Sequence, residues 1–215
     1  MFIHVAIAVI PIAIYVLLIG MLRLRRRPLI TTGWRDTFTL GLSLIGLVAV
    51  GPMQLFFPTE AALRWHSWVW LALILLYVLI LTMIMLSTKP RLIAYGMSLR
   101  QFMDIMLSAA KAVDVDTRWE GDVLNLPTSA IQFVIEPTGS TTVHQVVYVG
   151  TLYNLQDWMA IEKEFVKRGS QSECARSLIG MPLVLGGMLL LAAAVTPIIS
   201  SPQEALTQLK QFLDR

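Results

Sequence analysis

The sequence predicts an α-helical integral membrane protein with four transmembrane helices and a small cytoplasmic α+β module inserted between the third and fourth helices. Three observations lead to this prediction. Of the 215 residues, 56% are hydrophobic and only 14% are charged, whereas a soluble domain carries about 25% charged residues. The apolar residues form four runs, each long enough to cross a hydrocarbon core of ~30 Å. Basic residues gather beside these runs on one predicted side of the membrane.

The first run covers residues 2–22. It is too long for the core of a signal peptide and no basic segment precedes it, so we interpret it as a retained span. Pro11 is expected to kink this helix, and a neighbouring helix can satisfy the carbonyl that it frees. Four arginines follow the run: Arg23, Arg25, Arg26 and Arg27. Because basic residues beside a span stay in the cytoplasm, we expect the N-terminus outside.

The second and third runs cover residues 37–57 and 67–87. The second contains Gly41 and Gly46, and small residues allow helix backbones to approach closely in lipid. An aromatic belt typical of the membrane–water interface marks the start of the third run: Trp65, Trp68 and Trp70.

Residues 88–176 differ in kind, because charge returns and the periodicity becomes that of a water-soluble α+β module. Ser98 with Gln101 forms a capping-box pattern that predicts the start of a helix. A second helix begins near residue 155, and Gly169 is expected just after its end. Strands are predicted at residues 92–95, 117–119, 123–126, 131–136 and 142–149. We expect a sheet of four or five strands covered on one face by the two helices.

The fourth run covers residues 177–200. Gly180, Gly187 and Ala194 recur at seven-residue spacing, so they share one helix face and predict a close-packed seam. Residues 201–215 form an amphipathic tail that we expect to lie along the membrane surface.

The distribution of basic residues agrees with this topology. Residues 23–36 contain five lysines and arginines and residues 88–177 contain nine, which is 14 of the 17 in the chain. We therefore expect both termini outside the plasma (inner) membrane. A basic collar is predicted to contact lipid headgroups, with Lys167, Arg168 and Arg176 joining the four arginines. Because the positive charge follows the topology, we do not expect nucleic acid as a partner.

Candidate chemistry is sparse. The acidic stretch from Asp114 to Asp122 lacks the spacing of a calcium loop, since Arg118 stands at the third ligand position. His144 has no second ligand or orienting carboxylate nearby in the sequence. Cys174 is a single juxtamembrane cysteine, which favours a packing role over acylation. The sequence therefore predicts no catalytic, cofactor or metal site.

By elimination, we infer a membrane-anchored interaction or regulatory module presented to the cytoplasm, with the lipid bilayer and a protein partner as its contacts. The partner would dock on the uncovered face or edge of the sheet. One alternative is an accessory subunit of a transporter or channel, with the small-residue faces of the second and fourth runs packing on a larger protein. The less favoured alternative is a membrane-bound enzyme, which would need a deep pocket holding His144 together with carboxylates.

Overall fold

The structure is a computed structural model that describes residues 2–25, 27–65, 68–140, 142–150, 155–172 and 180–213. It divides into two compact units. The helical unit comprises Met1–Met21, Thr37–Ser87 and Ile179–Arg215. The sheet unit comprises Leu22–Asp36 and Thr88–Leu178.

Helices dominate both ends of the chain, and most of the strands lie between residues 91 and 149. The helices are α1 (Phe2–Leu24), α2 (Gly33–Val50), α3 (Pro52–Leu55), α4 (Thr59–Trp65), α5 (Trp68–Ser87), α6 (Leu99–Lys111), α7 (Leu155–Gln171), α8 (Gly180–Ser200) and α9 (Pro202–Leu213). The strands are β1 (Leu29–Thr32), β2 (Arg91–Tyr95), β3 (Arg118–Glu120), β4 (Val123–Leu126), β5 (Ile131–Glu136) and β6 (Val143–Val149).

Within the part of the chain that the structure describes, four helical segments are long and apolar enough to cross a membrane, as the sequence predicted. They are Phe2–Leu24, Gly33–Leu55, Trp68–Ser87 and Gly180–Ser200. Most of their large side chains point outward, and α5 has only Val69 and Trp70 fully buried. In water such exposure would be costly, whereas lipid is a solvent as apolar as these side chains.

The seam between α1 and α2 is built around a proline and a glycine. Pro11 has no N–H, so it leaves the carbonyl of Ile7, four residues earlier, without its helical donor. Gly46 of α2 lies directly against this oxygen, and a Cβ at that position would overlap it. The missing side chain lets the α2 backbone approach the freed carbonyl, where a Cα–H donor partly satisfies it.

The other seams also depend on small residues. A Cβ at Gly187 of α8 would lie 3.0 Å from the Leu17 nitrogen of α1, and one at Gly20 would lie 2.8 Å from the Val184 nitrogen. Gly41 of α2 accepts a hydrogen bond of 2.7 Å from the Tyr77 hydroxyl of α5 through its carbonyl. Both seams of α1 pair an early part of one helix with a late part of the other, so α1 runs antiparallel to α2 and to α8.

The tail helix α9 folds back onto the helical unit. Phe212 stacks on Trp70 with ring centres 4.6 Å apart and meets His4 edge-on at 5.3 Å. The Trp70 indole donates to the Leu213 carbonyl at 3.2 Å, which fixes the end of the tail. The expected amphipathic tail is present, but its buried face packs on the ends of α1 and α5, a contact that the sequence did not predict.

The sheet unit is a two-layer α+β structure. Its six antiparallel strands lie in the order β1-β2-β6-β5-β4-β3. Helices α6 and α7 cover one face, where Phe102, Met106 and Phe165 are completely buried among the side chains of the strands. The predicted capping box at the start of α6 is confirmed, since Ser98 Oγ accepts from the Gln101 N–H at 3.4 Å and Gln101 Oε1 accepts from the Ser98 N–H at 3.3 Å.

The sixth strand comes from an unexpected place. β1 lies in the loop between α1 and α2 and pairs with β2 along its whole length, from Leu29 opposite Tyr95 to Thr32 opposite Leu92. The sequence had suggested four or five strands, all from residues 88–176. Gly169 was also predicted wrongly as the residue after α7, because the helix continues to Gln171. Gly169 is buried inside the helix, where the Ile30 side chain of β1 occupies the space of a Cβ.

We expect Gly46→Ala to lower the thermal midpoint of the purified full chain in detergent, because its methyl group would push α2 away from the backbone of α1. Overpacking of this kind costs about 1–3 kcal/mol. Gly186→Ala on α8 is the matched control, since nothing lies within 4 Å of its added Cβ. Equal midpoints for the two variants would contradict the close approach at Gly46.

Candidate functional site

The candidate site is the face of the sheet that α6 and α7 leave uncovered, which we call the open face. Side chains alternate along β4, β5 and β6: Leu124, Phe133 and Val146 point into the core, and their neighbours in sequence point to the open face. On these three strands the side chains of the open face are half-buried or exposed. This face is therefore the part of the sheet available for contact with another molecule.

A row of three valines crosses the middle of the open face. The register sets Val123 of β4 opposite Val134 of β5, and Val134 opposite Val147 of β6. The row ends in opposite charges, with Glu120 opposite Val123 at one end and Arg91 opposite Val147 at the other. Glu120 accepts hydrogen bonds from the Arg118 guanidinium at 2.8 Å and from the Asn125 amide at 2.7 Å, which hold the acidic end in place.

The first turn of α2 lies against the other end of the open face. The Arg91 side chain crosses Gly33 so closely that a Cβ there would overlap it. The Tyr95 hydroxyl donates to a carboxylate oxygen of Asp36 at 2.9 Å. The sheet and the beginning of the second apolar helix are thus joined by direct side-chain contacts as well as by β1.

His144 does not belong to this surface. It points into the core, is 8% exposed, and its ring lies 5.8 Å from that of Phe102. Its Nε2 is buried and has no hydrogen-bond partner among the described residues. A catalytic histidine needs access to substrate and an orienting group, and this environment offers an aromatic packing partner instead.

The acidic stretch has a structural role. The Asp114 carboxylate is buried and accepts hydrogen bonds from the Thr128 N–H at 2.7 Å, the Asp116 N–H at 3.1 Å and the Ser129 N–H at 3.4 Å. It ties the end of α6 to the connection between β4 and β5. Among the described residues, no three His, Cys, Asp or Glu side chains form a group suited to a metal ion.

Burial alone would raise the pKa of the Asp114 carboxyl, but the hydrogen bonds from Thr128, Asp116 and Ser129 outweigh it. Its pKa therefore lies below the ordinary value of 3.8. Since these donors favour the charged form, the carboxylate contributes stability above pH 3.8, and this contribution is lost as the pH falls through the lowered pKa.

The predicted basic collar is divided between two places in the sheet unit. Arg25 and Arg27 are exposed and line a depression of about 390 Å³ with Leu22 and Pro28. Lys167 and Arg168 lie near the end of α7, where both face Glu164, at 3.7 and 3.3 Å. Arg23 lies in the last turn of α1. Arg26, Cys174 and Arg176 lie outside the described residues.

The predicted packing residues all lie in the helical unit. Gly180, Gly187 and Ala194 are the buried residues of α8, and Gly41 and Gly46 face α5 and α1. Gly20 was not predicted, although it makes the same kind of approach as Gly187. β1 was also missed, and for this strand there was a signal: Pro28 and Gly33 enclose a short run of strand-forming residues.

The described part of the chain thus contains a helical unit with four apolar helices and a six-stranded α+β unit, which is formed by two of the connections between those helices. Comparison with known proteins found no match, whether among family models, curated proteins or solved structures. The geometry of the site is therefore the basis for a proposal on function.

We expect Asp114→Asn to weaken the sheet unit by about 1.5–3 kcal/mol, the usual value of hydrogen bonds to a charged group. The asparagine side chain keeps one acceptor oxygen, but its NH₂ group replaces the other and faces backbone N–H donors that it cannot accept from. Hydrogen exchange of the β4 amides in the full chain, corrected for intrinsic rates, would measure the loss. The difference in β4 exchange rates between the variant and the unsubstituted chain should shrink below pH 3.8. The exposed Asp116→Asn is the control, and an equal effect there would argue against a special role for Asp114.

Proposed function

We propose that this protein is a membrane-anchored interaction module, whose sheet unit binds a protein partner on the open face at the cytoplasmic surface of the membrane. The observation that carries this proposal is the row of three valines between Glu120 and Arg91. It offers an apolar centre with the Glu120–Arg118 ion pair at one end and Arg91 at the other. A partner segment with apolar side chains and complementary charges would bind across the strands in one orientation.

The attachment of the sheet supports the same proposal. The sheet unit is connected to all four apolar helices, because β1 lies between α1 and α2 and the rest lies between α5 and α8. Such a unit cannot swing freely on a single linker. This restriction lowers the entropy that is lost when a partner binds.

The two alternatives have less support. An accessory subunit would use the small-residue faces of α2 and α8 to pack on a larger protein, yet Gly41, Gly46 and Gly187 are occupied by contacts within this chain. An enzyme would need His144 in a pocket with carboxylates, and His144 lies in the core beside Phe102.

We expect Val134→Lys to weaken partner binding strongly, because it places a charge in the middle of the valine row. The measurement is cross-linking in native membranes, followed by purification of the full chain and quantification of the captured partner. We expect at least a loss of about tenfold, the size seen when a residue central to an interface is disrupted. Val115→Lys makes the same change at a valine that is 83% exposed and lies in the turn after α6, outside the row.

The paired variants decide this prediction. A partner retained by Val115→Lys and lost by Val134→Lys supports docking on the open face. Equal capture by both variants, or no captured protein, would overturn it. Hydrogen exchange of the β5 amides in Val134→Lys should match that of the unsubstituted chain, which excludes loss through unfolding.

The orientation that we propose places the arginine-rich loop and the sheet unit in the cytoplasm and both termini outside. In a Cys174→Ser background, single cysteines at positions 27 and 140 should react with an impermeant maleimide from the same face of sealed vesicles. A cysteine at position 203, in the first turn of α9, should react from the opposite face. Reaction of positions 27 and 140 from different faces would contradict both the topology and the β1–β2 pairing.

A further inference from the structure

Helix α7 has apolar side chains on two opposite sides. Trp158, Ile161 and Phe165 pack into the core of the sheet unit. On the outward side, Leu155 and Met159 are each 60% exposed and Val166 is 37% exposed. The spacing of these three residues places them on one outward stripe, with Lys163 between Met159 and Val166.

The neighbouring helix α6 shows that this outward stripe is not a general feature of the unit. Apart from Leu99 at its start, the exposed residues of α6 are polar or charged: Arg100, Gln101, Asp104, Ser108 and Lys111. Both helices pack on the same face of the same sheet. The composition of the outward side of α7 therefore favours contact with another apolar environment, in addition to the core of the sheet unit.

A groove of about 470 Å³ runs along this side of α7. The outward residues Met159, Lys163 and Val166 line it on one side, together with Ala160 and Glu162, and Arg35 of α2 lines it on the other. The Arg35 guanidinium carbon lies 5.3 Å from the centre of the exposed Trp34 ring, so arginine and tryptophan form one patch.

The position of Arg35 fixes the depth of this groove relative to a bilayer. Arg35 is the third residue of Gly33–Leu55, a segment long and apolar enough to span a membrane. The first turn of such a helix lies at the boundary between hydrocarbon and water, where tryptophan and arginine are the typical anchoring residues. A groove lined by that turn opens at the level of the lipid headgroups.

We propose that this groove binds one anionic phospholipid. Arg35 and Lys163 would hold the phosphate, and Met159 and Val166 would contact the glycerol and the first carbons of the acyl chains. A negatively charged headgroup complements these two cations. The combination of two cations, an apolar stripe and a tryptophan at one depth matches a lipid better than a protein surface. This site does not rest on partner docking at the open face.

The test uses the full chain in nanodiscs of phosphatidylcholine alone or of phosphatidylcholine and phosphatidylglycerol in a ratio of about 3:1. Hydrogen exchange of the α7 amides is measured in both. We expect exchange about tenfold slower with phosphatidylglycerol, as two cations near an anionic headgroup allow. Raising the salt from about 0.1 to about 1 M should reduce this difference, since the screening length falls from about 10 to about 3 Å.

Two matched pairs of variants locate the effect. Arg35→Gln with Lys163→Gln should remove the slowing, whereas Arg100→Gln with Lys111→Gln removes the same charge from α6 and should leave it intact. Lys163→Glu and Lys111→Glu make the same comparison with single charge reversals on α7 and α6. Both lysines are exposed, so neither substitution is expected to unfold the sheet unit. The β4 amides of every variant serve as the internal control for folding.

Three outcomes would overturn the proposal. Equal exchange in both nanodiscs would mean that the groove does not bind the anionic lipid. Equal loss in the two variants of either pair would indicate a general attraction to a negative surface. Protection in phosphatidylcholine alone that grows with protein concentration would identify a protein, such as a second copy of this chain, as the occupant of the groove.

Discussion

The pairing of β1 with β2 is the contact on which the sheet unit depends. It joins two connections that are far apart in the sequence, and bringing them together costs loop-closure entropy. Two further contacts support it: Ile30 fills the space left by Gly169 of α7, and Arg91 lies across Gly33. Because these contacts form only when β1 is in place, the sixth strand, α7 and the start of α2 stabilise one another.

This arrangement has a consequence for the interaction that we propose. A partner that binds only the complete sheet stabilises the paired state of β1, by linkage. Since β1 continues directly into α2, the same binding energy restrains the first turn of an apolar helix. The reverse also holds, because any change in the helices that draws β1 away from β2 lowers the affinity for the partner. The strand is thus a physical route for regulation that a module on a flexible linker would lack.

Features of the fold that depend on local sequence pattern were predictable, and those that depend on contacts between distant residues were not. The four apolar segments, the capping box at Ser98 and the strands β5 and β6 follow from local pattern. β1 was missed although Pro28 and Gly33 enclose it, because it lies in a loop between two apolar helices and pairs with a strand that is distant in the sequence. Gly169 was assigned to a helix end because glycine after basic residues is typical of a C-cap, and only the distant Ile30 explains why it lies inside α7. The valine row was not predicted because the register of the β4–β5 and β5–β6 hairpins depends on the geometry of each turn, and the sequence did not define that geometry.

The two surfaces that we propose lie on opposite layers of one small unit. The lipid groove is on the outward side of α7, and the open face is on the far side of the sheet that α7 covers. Both surfaces end at the first turn of α2, where Gly33 lies under the Arg91 side chain and Arg35 lines the groove. They are connected through a core in which Phe102 and Phe165 meet edge-on at 5.6 Å and in which voids are few. A packed core transmits strain, so it is the physical link between the two surfaces.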